Sequence, residues 1–265
     1  MELIRVTSIQ SENADFICQR ITRYLSARLG VGAEFVNQIP WQERERLLDA
    51  GEIHLGWMCG LPYVRKADRA GAGVELVAAP VMRHPRYAGR PIYFSDVIVH
   101  RDSRYAAFAD LRGAAWAYNE PNSQSGYNIT RYHLARLGET GGYFGRVIEA
   151  GSHLRAVEMV LAHEVDASAI DSTVLELELE KRPELGEELR IVEALGPSPI
   201  PPWVATRGVP ADLRDALRRA FWEMHEDAEG QALLAAGQMA RMAHVEDGDY
   251  NPIREMARLA ETVRW

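Results

Sequence analysis

Apolar positions recur along this chain in two rhythms. Near the N-terminus "LIRVTSI" reads as a strand, and from Asp15 to Leu29 the period lengthens. There Ile17, Ile21, Tyr24 and Leu25 fall on one helical face and Gly30 supplies the stop. "AEFVNQI" predicts a second strand, and Pro40 opens a short helix ending near Gly51. "EIHLGWM" sets Ile53, Leu55 and Trp57 on one side, the period of a strand, and "VELVAAPV" predicts another. "YFSDVIV" (93–99) is a strong strand that ends in the charged turn "HRDSR", and "DLRGAAWAYNE" follows as a turn and a short strand. A helix begins around Gly151 with Leu154, Val157 and Leu161 on one face. "EVDASAID" predicts a buried strand that ends at Asp171. "LELELEKRPELGEEL" reads as a solvated, charged helix and loop, and "RIVEALG" as a strand running into the proline-rich "PSPIPPW". From Pro210, Leu213, Ala216, Leu217, Ala220, Phe221 and Met224 form an apolar stripe, read as core packing rather than a partner surface. The last twenty residues are expected to be helical and to dock on the first part of the fold. Strands and helices in this order predict an α/β protein, its parallel sheet covered by helices and its ligand beyond the carboxyl ends of the strands.

Composition narrows the function classes. The 265 residues suffice for one large domain or two lobes, and 47% apolar with 26% charged residues fits a soluble globular chain. A net charge of −8 with no basic stripe argues against nucleic acid as a partner. It also requires that an anionic ligand be held by local donors. No stretch approaches the ~20 apolar residues of a membrane helix. "MELIRVTSIQ" lacks the basic and apolar regions of a signal peptide, so either the chain is cytoplasmic or its leader is not part of this sequence. Cys18 and Cys59 show no metal-type spacing, and no metal or cofactor is expected.

The chemistry concentrates in "YNEPNSQSGYNITRYHLARLG" (118–138), where two serines and a glycine precede a helical pattern. The first N–H groups of a helix lack intrahelical partners and carry the positive end of its dipole, so a helix start is an anion site in waiting. Ser123 and Ser125 add hydroxyls, Gln124 lies between them, and Gly126 lets backbone approach a ligand closely. The alternative is that these serines only cap the helix. His153, in "GSHLRAV", stands at a second helix start, where a neutral ring donates one N–H to an oxyanion or merely flanks the cap. Asp171 ends a buried strand and either faces a ligand or caps the helix that follows. Tyr93 and Tyr127 are aromatic candidates whose alternative is ordinary packing. The same choice applies to Trp57 and Trp203 as walls of a cleft. Gly60 and Pro62 predict a tight turn after the Trp57 strand. Cys59, beside that turn, raises a nucleophile reading, although no base is marked near it.

"YFSDVIVHRDSRYAAFADLRGAAWAYNEPNSQSGY" resembles the substrate-binding proteins of phosphate, phosphite and phosphonate ABC importers. In that family a tyrosine-bearing strand, a charged turn and a D-L-x-G turn lead to an S-x-S-G helix start. "GSHLRAVEMVLAHEVDASAIDS" is similar to the family's glycine-serine-histidine helix start and aspartate-bearing strand, and "GPSPIPP" to its segment crossing back between lobes. The resemblance implies a type 2 periplasmic-binding-protein fold: two α/β lobes, each a mostly parallel sheet flanked by helices, joined by hinge strands. The lobe limits it implies are 1–94 with 201–265, and 95–200. It implies a monomer that closes on a small tetrahedral oxyanion, is periplasmic or at the cell surface, and partners a transporter permease. The ligand set it implies is Tyr63, Tyr93, Ser123, Gln124, Ser125, Gly126, Tyr127, His153 and Asp171. Acids near Asp171 hold the ammonium of aminoalkylphosphonates in that family. A second acid often follows the crossing segment, but Pro201, Pro202 and Trp203 stand there in this chain. The alternative is a cytoplasmic small-molecule enzyme using Cys59 or Asp171, or a ligand sensor, on the same fold.

Overall fold

The computed structural model describes residues 1–71 and 73–265. Its first elements are β1 (Leu3–Ile9), α1 (Asp15–Leu29), β2 (Gly32–Phe35), α2 (Trp41–Asp49), β3 (Leu55–Met58), α3 (Gly60–Ala67) and β4 (Val74–Met82). Then come β5 (Ile92–His100), β6 (Ala115–Tyr118), α4 (Ile129–Arg136), β7 (Arg146–Glu149), α5 (His153–Leu161), β8 (Ala167–Asp171), α6 (Ser172–Lys181) and α7 (Leu185–Glu188). The rest are β9 (Leu189–Pro199), β10 (Trp203–Thr206), α8 (Ala211–Trp222), α9 (Ala228–Ala236), β11 (Met239–Ala243) and α10 (Asn251–Ala260). The chain divides into two compact units: Met1–Ile92 with Pro199–Tyr250, and Tyr93–Ser198 with Asn251–Trp265.

The first unit is built on a six-stranded sheet in the order β11-β4-β10-β3-β1-β2. β1 runs parallel to β2 and β3, while β10 and β11 are antiparallel to their neighbours. The sheet is therefore mixed, with its parallel part at the N-terminal end of the chain. Helix α1 buries the Ile17, Ile21, Tyr24 and Leu25 face, and Gly30 ends it in the left-handed region at φ 65°. That conformation costs a glycine little because it has no Cβ to clash. Leu217, Ala220 and Phe221 of α8 are buried, as a core stripe requires. Gly60 and Pro62 do not form a tight turn; they open α3. A proline is tolerated in the first helical turn because its missing N–H would have no intrahelical partner there. Trp203 is fully buried and stacks on Trp57 at 5.7 Å, and Trp57 donates to the Pro201 carbonyl at 2.8 Å, so the two rings pack within this unit.

The second unit holds a five-stranded sheet ordered β7-β6-β8-β5-β9. Strands β7, β6 and β8 run parallel, and β5 pairs antiparallel with β8. One face carries Val97, Trp116, Ala169, Ile129 and Leu134, the other Ile98, Ala156, Val157, Ile170 and Leu175. The segment "LELELEKRPELGEEL" is less solvated than expected, because Leu175, Leu177, Leu185 and Leu189 are buried. The C-terminal segment also departs from expectation and belongs to this second unit. Met256 and Val263 enter the same cluster as Ile129 and Leu134, and the Arg131 guanidinium donates to the Val263 carbonyl at 2.7 Å. Helical periodicity marks an apolar face but carries no information about which of two cores will cover it.

Candidate functional site

Three helical segments of the second unit start at the carboxyl edge of its parallel strands. β6 leads through the serine-bearing loop into a π-helical turn, Gln124–Asn128, and then α4; β7 leads into α5 and β8 into α6. Each start has a side-chain cap. Ser123 Oγ accepts from Gly126 N–H, Ser152 Oγ from Arg155 N–H, and Asp171 Oδ1 from Thr173 N–H. The capping alternative is thus realised for Ser123 and Asp171. Gly126 has a packing reason as well, since a Cβ there would collide with the side chain of Asn119.

The serine turn and the start of α5 meet in a chain of hydrogen bonds. Gly126 N–H donates to Ser123 Oγ at 3.0 Å, Ser123 Oγ lies 3.3 Å from Ser125 Oγ, and Ser125 Oγ lies 2.8 Å from His153 Nε2. Ser123, Ser125 and His153 are all buried. Of the two directions the hydroxyl protons can take, one leaves only Nδ1–H without an acceptor. The other leaves both the Ser123 hydroxyl proton and Nδ1 without a partner, so the first is favoured. In that direction Ser123 donates to Ser125, Ser125 donates to Nε2, and the imidazole proton sits on Nδ1. That Nδ1 is buried and has no hydrogen-bond partner. Burial pushes the His153 pKa down to about 4, so the ring is neutral near pH 7 and carries a single N–H. The serine turn thus favours the Nδ1–H tautomer of the histidine, with that N–H at the end of the hydrogen-bonded chain.

Asp171 sits beside this turn on β8 and is 4% exposed. Its Oδ1 accepts from both the N–H and the hydroxyl of Thr173 at 2.8 Å. Burial, with a smaller contribution from Asp96, raises its pKa to about 7. Directly across the β5–β8 ladder from Asp171 lies Ser95, fully buried, with a hydroxyl that has no partner. Sequence reasoning missed Ser95, although its two-residue spacing from Tyr93 places both on one face of β5. Tyr93 is fully buried on that strand.

The other expected ligands have other surroundings. Gln124 is fully buried; its amide nitrogen donates to Ser198 Oγ at 3.2 Å and its carbonyl accepts from Asn128 at 2.7 Å. Tyr127 is half-buried among Tyr118, Trp265 and the Arg131 guanidinium. Tyr63 belongs to the first unit, where its hydroxyl donates to Asp247 at 2.8 Å and its ring meets Tyr250 edge-on. Cys59 is a half-buried N-cap residue of α3. Among the described residues no group of three or more His, Cys, Asp or Glu side chains could hold a metal ion, and no helix is long and apolar enough to cross a membrane.

Residues 6–250 match the family model of the periplasmic phosphonate substrate-binding proteins of ABC transporters. That family is a transporter component, and it gives the enzyme reading of Cys59 or Asp171 no support. Among solved structures, the chain is similar to the binding protein component of a phosphonate ABC transporter from Pseudomonas aeruginosa. The TM-score is 0.84 at 20% identity, over 98% of this chain and 86% of that one. It is also similar to PhnD1 of Prochlorococcus marinus in complex with methylphosphonate, with a TM-score of 0.84 at 18% identity over 99% of both chains. An ancestral arginine-binding protein bound to arginine is more distant, with a TM-score of 0.62 at 17% identity over 89% of this chain and 97% of that one. These likenesses place the chain in the type 2 periplasmic-binding fold.

Proposed function

We propose that this chain, which belongs to the periplasmic phosphonate substrate-binding proteins of ABC transporters, captures a small tetrahedral oxyanion of the phosphonate class. It does so through the helix-start chemistry of its second unit. The observation that carries this reading is the chain from Gly126 through Ser123 and Ser125 to His153, which ends on a buried Nδ1 without a partner. An oxyanion placed against Nδ1–H satisfies that donor, and the α5 start beneath it adds the positive end of a helix dipole. The buried, unpartnered hydroxyl of Ser95 supplies a further neutral donor. Asp171, with its pKa raised to about 7, either takes the acidic proton of a monoprotonated oxyanion or pairs with a ligand ammonium. Methylphosphonate, phosphite and phosphate all fit this donor set. As a monomer in the periplasm, the protein hands its ligand to the transporter permease.

Calorimetric titration tests this directly, with methylphosphonate, phosphite, phosphate, 2-aminoethylphosphonate and sulfate as the panel. Charge-assisted hydrogen bonds contribute roughly 1.5–3 kcal/mol each, so three or four support binding at about micromolar Kd, near −8 kcal/mol. At least one phosphorus oxyanion is expected to bind at that level or tighter, and absence of heat with every member overturns the reading.

A further inference from the structure

Away from the serine turn, the first unit contains a buried cation with little to hold it. Arg44 lies on α2 and is 5% exposed. Its Nη1 donates to the Ser8 carbonyl at 2.7 Å, near the carboxyl end of β1, and its Nε is buried without a partner. Among the described residues no carboxylate forms an ion pair with this guanidinium. Asp15 is felt electrostatically but spends its Oδ2 on Asn37, at 3.3 Å. A charge taken out of water is normally matched by an opposite charge or a full set of hydrogen bonds. One carbonyl is far less than the five donors of a guanidinium require.

The chain just beyond β1 adds two more buried polar atoms without partners, Gln10 Nε2 and Ser11 Oγ. The Gln10 backbone N–H donates at 3.2 Å to the hydroxyl of Ser8, the residue to whose carbonyl Arg44 donates. β1 is parallel to both β2 and β3, so Gln10 and Ser11 leave the carboxyl edge of the parallel part of this sheet, where α/β folds place ligands. A guanidinium, an amide NH2 and a hydroxyl, all donors, make a set suited to an oxyanion.

We propose that Arg44, with Gln10 and Ser11, holds an oxyanion at this edge of the first unit: a phosphate, phosphonate or carboxylate group. The inference extends the reading of the chain as an oxyanion binder and uses none of the residues on which that reading rests. The guanidinium supplies a positive charge to this edge of the first unit, and it stays buried because the anion completes its hydrogen bonds.

Inorganic phosphate and methylphosphonate serve as separate probes in calorimetry and thermal shift, with the full chain and the variants Arg44→Met, Ser11→Ala, Gln10→Leu and Ser125→Ala. Arg44→Met is expected to weaken binding of at least one probe by about tenfold or more, and Ser11→Ala by several fold, on the strength of charge-assisted hydrogen bonds. Without anion, Arg44→Met should melt no lower than the parent, because a poorly paired buried charge has been removed, while the probe-induced rise in Tm shrinks. Wild-type affinity in Arg44→Met and Ser11→Ala for both probes overturns the proposal, and so does a lowered Tm with the probe-induced rise intact, which would make Arg44 a strut for Ser8. Should Arg44→Met fail to fold, Ser11→Ala and Gln10→Leu decide by the same criterion. Loss of binding in Ser125→Ala with none in the first-unit variants sinks this proposal alone, whereas unchanged binding in Ser125→Ala sinks the helix-start reading and leaves this one standing.

Discussion

At the scale of single residues, the candidate site is a matter of which atom holds which proton. Ser125 was legible in the sequence as a hydroxyl at a helix start, but its bond to His153 spans 28 positions and needs the fold. In the proposed function its role accordingly shifts from direct donor to the group that orients the histidine. Ser125→Ala leaves Nε2 without its donor and frees the ring proton to move there, which removes the Nδ1–H from the ligand. Methylphosphonate affinity should fall by about tenfold or more, the worth of one charge-assisted bond. Ser125→Thr, which keeps the hydroxyl, should recover part of the loss. Calorimetry on the pair checks this, and equal affinity in Ser125→Ala and the parent would remove the relay from the mechanism. Gln124 shows the opposite case. Its polar side chain looked available in sequence, yet Ser198, Asn128 and Met256 use it.

At the scale of elements, the starts of α5 and α6 carry two groups whose titrations oppose each other. His153 is neutral in the fold, so below pH 6.5 the unfolded chain takes up a proton that the folded chain refuses. The stability this contributes is present above pH 6.5 and is lost as pH falls towards about 4, amounting to about 3 kcal/mol. Asp171 has the reverse sign. With its pKa raised from 3.8 to about 7, its contribution is present at low pH and is lost as pH rises through about 7. Each variant should expose the other group. Relative to the parent, His153→Gln should gain stability as pH falls from 6.5 to 4, and Asp171→Asn, which can still cap α6, should gain it as pH rises from 4 to 7. Urea denaturation at half-unit intervals of pH measures both, and profiles parallel to the parent's would mean that neither group is held out of water. The elements themselves were largely readable. The α1 face and its Gly30 stop follow from spacing alone, whereas the burial of Arg44 in the charged run "WQERERLLD" follows only from where α2 packs.

At the scale of the whole molecule, the net charge of −8 repels the anions this protein is proposed to bind. Association should therefore rise by about twofold, not fall, when salt increases from low ionic strength towards physiological levels, because screening weakens that repulsion. Stopped-flow mixing with methylphosphonate distinguishes the cases, and a rate that falls steeply with salt would mean that a local cationic field dominates. The sequence by itself determined what depends on near neighbours: the strand and helix periods, the glycine stop, the cluster of hydroxyls before α4, and a family pattern written in short motifs. Only the tertiary structure decided which groups meet across long separations. It joined Ser125 to His153, set Ser95 opposite Asp171, left Arg44 buried with one carbonyl, and carried α10 to the second unit. Local preferences arise from bonds and side chains within a few residues, but a meeting of distant donors is fixed only when the chain returns on itself and water is excluded around them.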